Sequence, residues 1–353
     1  MGAGTGKVLI ELFVNGPRPV ASKPFPVNPA ADSSKLAIGQ ERDATNHPGK
    51  ESFDGEVARF LVYERPLTDD ELKQMLSDSQ CIAFLQWALP KLRMRWPGFR
   101  KVRKQVWKRV VRRVKELGLK NETAYRDYLE ANPSEWSVLD SFCRISISRF
   151  YRDRGVFDYL RTEILPALGM SARRNGRDEV RCWSAGCASG EEAYTLAILW
   201  RSAVGPRLPD VSFRIVATDS DPHMLDRARQ ARYAMSSLKD VPAEWRAAAF
   251  SRSGDLYQLR PEYREGIDFV RQDIRTETPL GVYDLVLCRH LAFTYFEAGL
   301  QEEVLRRLLS QLAPEGFLVT GKQEQIAVRS EELDECQPRI GVYHHSPGGK
   351  RRA

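Results

Sequence analysis

The sequence predicts an α/β protein: a parallel sheet with helices on both faces and a small β insertion, preceded by a helical domain and a partial β-sandwich fragment. Three observations carry this. Strand-like and helix-like runs alternate from residue 151 to 328, the pattern of βαβ units. From 80 to 150 apolar residues return at three- and four-residue steps, the period of a helix face. From 1 to 77 apolar, β-branched runs are separated by Pro, Gly, Asn and Asp.

At 353 residues the chain is long enough for two or three domains. With 42% hydrophobic and 29% charged residues its composition is that of an ordinary soluble protein. No apolar run reaches the roughly 18 residues of a membrane helix. The start, MGAGTGKVLIELFVNG, has no basic stretch followed by a long apolar one, so neither a signal peptide nor membrane insertion is expected. The cysteines Cys81, Cys143, Cys182, Cys187, Cys288 and Cys336 form no CxxC pair, and no HExxH occurs. Reduced buried thiols, a cytoplasmic setting and no metal site follow as expectations. The net charge of +7 is concentrated in residues 91–120, which hold thirteen Lys or Arg against one Glu. Such a patch suits an acidic partner.

The elements can be taken in order. KVLIELFV (7–14) and VARFLVYE (57–64) have strand composition. MGAGTGKV is not read as a phosphate loop, because no strand precedes it and Val8 stands where Ser or Thr would hold magnesium. In the helical segment Val106, Val110, Val111, Val114 and Leu117 mark one helix with Gly118 as its stop. ETAYRDYLEA marks a second and EWSVLDSFCR, after Pro133, a third. The parallel strands are VRCWSA, FRIVATD, IDFVRQ, YDLVLCR and GFLVTG. The helices between them are EEAYTLAILWRSA, PHMLDRARQARY and AGLQEEVLRRLLSQL. Turn-rich text from 233 to 266 reads as the β insertion, and 329–353 as a tail with His344 and His345 solvated.

Ligands of an open α/β sheet sit at the carboxyl ends of its strands. This chain puts SAGCASGEE, TDSD (218–221), QDI (272–274) and CRHLAFTYF (288–296) there. Gly186 allows close backbone approach. The following helix N-terminus favours a carboxylate. Asp219 can accept hydrogen bonds from ribose hydroxyls. Asp273 can accept from an adenine amino group, and Ile274 can lie on the ring. GCASG is not the GxGxxG of a dinucleotide fold, and the two acids Glu191 and Glu192 would repel a pyrophosphate. S-adenosylmethionine (SAM) fits this set, with a dinucleotide or a purely structural loop as alternatives. If the reading holds, Gly186, Asp219, Asp273 and Arg289 surround one hollow.

From about residue 82 to 326 the chain resembles the CheR-type chemotaxis receptor methyltransferase family, which methylates glutamate side chains with SAM. SISRFYRD (146–153) resembles that family's "T-x-FFRD", WSAGCASGEEAY its "SAGCSTGEEPYS", ATDSD (217–221) its "ATDID", and CRHLAFTYF its "CRNVLIYF". The resemblance implies a class I SAM-methyltransferase, Rossmann-like sheet. It implies cofactor contacts at Ser146, Ser148, Arg152, Glu192, Asp219, Asp273, Ile274, Cys288 and Arg289, besides Gly186. It implies that Arg152 and Tyr295 flank the reacting methyl group as the catalytic pair. The insertion matches the family's receptor-docking subdomain in position, and the basic helical domain would face an acidic receptor-like protein. A monomer is expected.

The chain departs from the pattern at Ser146, Ala193, Asp273 and His290, which replace Asn, Pro, Asn and Asn, and LAFTYF is one residue longer. GKQEQ (321–325) also differs from a "GHSE"-type ending. The methyl acceptor is the open point. A small molecule, RNA tracked by the basic segment with Trp96, Phe99 and Trp107, and a non-catalytic SAM-binding role are the alternatives. Within residues 1–77, the stretch from Lys35 resembles the closing half of a laminin-G-like, concanavalin-type sandwich, with "IG", "F-x-G-x-ϕ" and "LTDDEL" in order. Its early strands are missing, so it is read as a truncated or fused appendage.

Plainer roles are open to the same residues. Arg152 could pair with Asp153 or Glu163. Glu191 could complement a helix dipole. Asp219 could cap the helix that starts at Pro222, and Phe296 could be a core aromatic.

Overall fold

The computed structural model describes residues 7–13, 19–26, 69–326 and 332–346, and the chain divides into two units, residues 1–83 and 84–353. In the first, β1 (Lys7–Phe13) and β2 (Pro19–Pro26) pair antiparallel. β1 matches KVLIELFV. β2, PVASKPFP, has prolines at both ends and one within, a composition that disguises a strand. VARFLVYE, nearly all of the laminin-G-like stretch and the glycines of MGAGTG lie outside the described residues. The first helix, α1 (Asp69–Lys91), begins before the helical domain predicted from residue 80.

The second unit opens with four further helices: α2 (Trp96–Phe99), α3 (Arg103–Glu116), α4 (Glu122–Ala131) and α5 (Glu135–Phe142). Asn121 starts α4 by accepting the N–H of Ala124 at 3.0 Å. Phe84 stacks on Tyr125 with ring centroids 5.9 Å apart, and Val106 and Val110 are fully buried. Glu135, buried among these apolar groups, accepts a fork from Arg113 (2.9 and 2.9 Å) and the Tyr125 hydroxyl (2.9 Å). Burial alone would raise its pKa. The Arg113 hydrogen bonds outweigh burial and hold it down.

The α/β part runs α6 (Arg154–Tyr159), α7 (Leu165–Arg174), β3 (Glu179–Ala185), α8 (Glu191–Leu199), β4 (Ser212–Asp219) and α9 (Pro222–Gln230). After β5 (Arg232–Ala234), α10 (Met235–Leu238), α11 (Ala243–Ala249), β6 (Phe250–Ser253) and β7 (Leu256–Leu259), it resumes with β8 (Ile267–Arg271), β9 (Tyr283–Leu287), α12 (Ala292–Tyr295), α13 (Ala298–Ser310) and β10 (Leu312–Val319). Two short strands close it, β11 (Leu333–Glu335) and β12 (Val342–His345). The sheet order is β11-β12-β10-β9-β3-β4-β8. β10, β9, β3, β4 and β8 are mutually parallel, and β12 runs antiparallel between β10 and β11.

Chain order reverses at β3, which pairs with β4 on one side and β9 on the other. That switch point opens a crevice above the strand ends. Helices cover both faces, so the central strands are buried on both sides. Val180, Cys182, Leu285 and Leu287 pack in the core shared with α7 and α8. Trp183, Ala185, Val286 and Cys288 pack in the core shared with α12 and α13. This is the class I methyltransferase, Rossmann-like arrangement.

Two differences from the sequence reading stand out. The expected tail contributes β11 and β12 to the sheet. Val342 is fully buried, and His345 is buried with its Nδ1 donating to the Ala313 carbonyl at 2.9 Å, so it is not solvated. Three- and four-residue strands show too little alternation to be read as strands. The run between Arg154 and Arg174, unassigned in sequence, is helical, with a single π turn at Leu160–Ile164. β5, β7 and β6 form a separate antiparallel sheet at the position of the predicted insertion.

Candidate active site

The loop after β3 is shaped by three left-handed residues, Gly186 (φ 78°), Ala188 (φ 48°) and Gly190 (φ 87°). The N–H groups of Gly186 and Cys187 both donate to the Thr218 carbonyl, at 2.8 and 2.9 Å, which folds the loop against the end of β4. A Cβ on Gly186 would stand 2.5 Å from Leu291 Cδ2 and would need a left-handed backbone, so glycine is favoured at this approach. Gly190 leads into α8. There Glu191 is buried, accepting the Ser189 hydroxyl on both oxygens (3.0 and 2.9 Å).

Asp219 ends β4. Its Oδ2 accepts from Ala188 N at 2.9 Å and its Oδ1 from Asp221 N at 2.8 Å. Each oxygen keeps a lone pair for a further donor. Burial raises its pKa in spite of those bonds. It does not cap α9; Asp221 does, accepting from His223 N at 2.9 Å. After β8, Asp273 is gripped by Arg275, whose Nε and Nη2 lie 3.0 and 2.6 Å from its oxygens. Burial pushes the Asp273 carboxyl up, but Arg275 more than offsets it and the net direction is down. The same guanidinium forks onto Asp140 of α5 at 2.6 and 2.9 Å.

After β9, Arg289 is almost fully buried. It donates to Glu192 (3.0 Å), to the Arg152 carbonyl (2.9 Å) and to Asp153 (2.8 Å). Glu192 also accepts from the Ser184 hydroxyl at 2.8 Å. His290 reaches Asp153 through Nε2 at 2.7 Å. Glu324 clasps this loop from the turn after β10, accepting from His290 N (2.8 Å), Gly321 N (2.6 Å) and the Thr294 hydroxyl (2.6 Å). The helical segment braces it from outside. Arg95 N donates to the Tyr295 carbonyl at 2.8 Å, the Arg95 guanidinium donates to the Phe293 and Thr294 carbonyls, and Gly98 leaves no room for a Cβ against the Thr294 oxygen.

One cavity collects these parts. Ser146, Ser148, Arg152, Gly186, Glu192, Asp219, Asp273, Ile274, Arg289 and Tyr295 all line it. Cys288 does not. It is fully buried beneath the site with Trp183 and Ala292, its N–H donating to Val319 O at 2.9 Å, so its side chain does not line the cavity. Arg152 donates to the Ile147 carbonyl and, among the described residues, pairs with neither Asp153 nor Glu163. Burial lowers its pKa. Tyr295 packs on Phe99, centroids 4.9 Å apart, and burial pushes its phenol up. Phe296 is a core aromatic that also borders the cavity.

Sequence reasoning missed Met94, Asp140, Arg144, Gln272 and Arg275, which line the cavity as well. It also missed Glu324. Asp153, the last residue of SISRFYRD, enters the sequence reading only as a pairing partner for Arg152, and Arg275 sits beside QDI. Met94, Asp140 and Glu324 are brought in by tertiary packing and carry no local signal.

The residues present fit SAM. A half-buried carboxylate with free lone pairs at Asp219 suits vicinal hydroxyls, and the left-handed turn at Gly186 brings backbone to the cavity wall. Gln272 borders the cavity with a buried Oε1 that has no partner among the described residues, an acceptor beside Asp273. This fold and this site define a SAM-dependent methyltransferase. The profile of the "CheR methyltransferase, SAM binding domain" matches residues 146–341. A chemotaxis protein methyltransferase of Listeria innocua is 36% identical over 192 residues, 54% of this chain and 70% of that one. The Salmonella typhimurium chemotaxis protein methyltransferase is 30% identical, covering 64% and 77%. An uncharacterised 104.1 kDa protein of Rhodobacter capsulatus is 31% identical over 89% of this chain and 29% of its own length. The chain belongs to the CheR methyltransferase family.

Proposed function

We propose that this protein transfers the methyl group of SAM to a carboxylate, a glutamate side chain of a chemotaxis-type receptor. The observation that carries the reading is the shared cavity: Arg152 and Tyr295 border the same hollow as Gly186 and Asp219. Bound SAM supplies an electrophilic methyl on a sulfonium. A glutamate, with an unperturbed pKa of about 4.3, is already the nucleophile at neutral pH, so the chain needs no general base. Its residues have to align and desolvate. Arg152 holds the incoming carboxylate in its planar fork. Tyr295 packs beside the reacting centre and keeps water out. Asp219 and Gly186 fix the adenosyl end. Alignment of this kind supplies roughly 7–11 kcal/mol of barrier reduction.

The helical segment suits an acidic protein. Lys101, Lys104, Lys108, Arg112 and Lys115 are all exposed. Their spacing places them along one face of α3 and its entry turn. Other cations of the basic run are engaged internally: Arg93 pairs with Glu297 and Glu303, and Arg109 and Arg113 hold Phe142 O and Glu135. The RNA alternative is weakened because Phe99 is fully buried and Trp107 packs on Phe84 at 5.9 Å. The β5–β7–β6 sheet is taken as the receptor-docking element. A monomer acting in the cytoplasm fits this reading. Among the described residues no helix is long and apolar enough to cross a membrane.

The test is incubation with tritium-labelled SAM and a receptor cytoplasmic domain. Label that enters the receptor and is released by mild base as methanol supports a glutamyl ester. Base-stable label, or label in RNA, overturns the acceptor assignment.

A further inference from the structure

We propose that His290 is a positioning residue for Arg152, acting through Asp153. The inference rests on the methyl-transfer reading above. Asp153 Oδ2 is a shared acceptor, 2.7 Å from His290 Nε2 and 2.8 Å from Arg289 Nη2. The same Arg289 nitrogen donates to the Arg152 carbonyl at 2.9 Å. The backbone of Arg152 and the side chain of its neighbour are therefore tied to two consecutive residues at the end of β9.

The imidazole is itself held in place. Glu324 accepts its backbone N–H at 2.8 Å, and a Cβ on Gly321 would stand 2.8 Å from ring atoms Cε1 and Nδ1. Tyr151 (φ 58°), Asp153 (φ 62°) and His290 (φ 56°) all take left-handed backbone conformations that residues with side chains rarely adopt. Such geometry persists where surrounding contacts over-determine it. The His290 hydrogen bond is the largest influence holding the Asp153 carboxyl below its usual range; burial opposes it, and Arg289 adds to it.

The charged and titratable groups around the imidazole come from every side. Arg152 and Asp153 lie before α6, Arg289 precedes it at the end of β9, and Glu324 follows β10. Tyr295 lies on α12, and Glu192 on α8 holds the far side of Arg289. A carboxylate oxygen can only accept, so the imidazole Nε2–H donates to Asp153 and fixes the side chain next to Arg152.

Two measurements test this. In the first, the Cε1 signals of the five histidines are recorded by NMR, with His290→Asn assigning the signal. Asp153→Asn should displace the His290 signal; an unchanged signal overturns the contact. In the second, kcat, KM and SAM affinity are measured. His290→Leu should lose about tenfold in kcat with SAM affinity within threefold, which also checks folding. His290→Asn, keeping an N–H donor, should recover to within about threefold of native. His290→Leu within twofold of native, or His290→Asn as impaired as His290→Leu, overturns the positioning role. A displaced signal in a protein that methylates no carboxylate would instead sink the proposed function and leave the contact standing.

Discussion

Arg275 and Asp140 form a two-point fork, Nη1 to Oδ1 at 2.6 Å and Nη2 to Oδ2 at 2.9 Å, that joins α5 to the loop after β8 across the cavity. The same guanidinium neutralises Asp273. Arg275→Gln would leave two part-buried carboxylates facing each other without their cation. Breaking such a pair is expected to cost about 2–4 kcal/mol of stability. Urea unfolding followed by circular dichroism measures this, and SAM affinity should fall with it.

Asp219→Ala should weaken SAM binding by about 1–3 kcal/mol, the loss of charge-assisted hydrogen bonds, and calorimetry reads it directly. The pH dependence has a definite sign. Burial raises the folded-state pKa of Asp219 above its unfolded value, so this group favours the folded state as pH falls through that range. Protonation also removes an acceptor, so SAM affinity should decline on acidification while the free protein gains stability from this site. Asp219→Asn should flatten the affinity profile.

Arg152→Ala should reduce kcat by about 100-fold or more, the scale of losing an aligned electrostatic partner of the reacting group. Among the described residues its guanidinium donates to Ile147 O, so stability should change by no more than about 1 kcal/mol. Parallel thermal melts and single-turnover kinetics separate the two effects. Equal losses of both would mark Arg152 as structural.

Gly186→Ala combines a left-handed backbone with a collision against Leu291. The backbone penalty alone is about 1–2 kcal/mol. Leu291 also lines the cavity, so moving it aside should weaken SAM at least tenfold. A fully stable variant with native affinity would refute the close-approach argument.

Reversing three charges of the exposed stripe, at Lys104, Lys108 and Arg112, should raise KM for an acidic receptor domain by about tenfold and leave SAM affinity unchanged. The native KM should itself rise with salt, since exposed charges are screened. A KM indifferent to both would remove α3 from the docking surface.

Much of this architecture is legible in the chain. The five parallel strands announce themselves by buried apolar runs such as YDLVL, and the carboxyl-end loops by glycines and acids at fixed offsets. Gly186, Asp219 and Arg289 could be named for that reason. What stays hidden is tertiary in origin. Glu324 looks like any polar residue in GKQEQ until folding carries it to His290. The partnership of Asp140 with Asp273 through Arg275 spans more than a hundred residues and has no local period. β11 and β12 are too short to show alternation. The thirteen cations of 91–120 read as one basic patch, whereas Arg93, Arg95, Arg109 and Arg113 are engaged by carbonyls and carboxylates of the chain itself.

The brace between Arg95 and the turn holding Tyr295 has a practical corollary. Recognisable homology to the SAM-binding profile starts at residue 146. A fragment trimmed to that limit would strip the donors from the carbonyls of Phe293, Thr294 and Tyr295 and uncover the aromatic that ends the cavity. Such a fragment could still fold around its sheet and still take up the cofactor, yet present the methyl to open water. Apparent inactivity of a shortened protein would then report a missing wall rather than a missing chemistry.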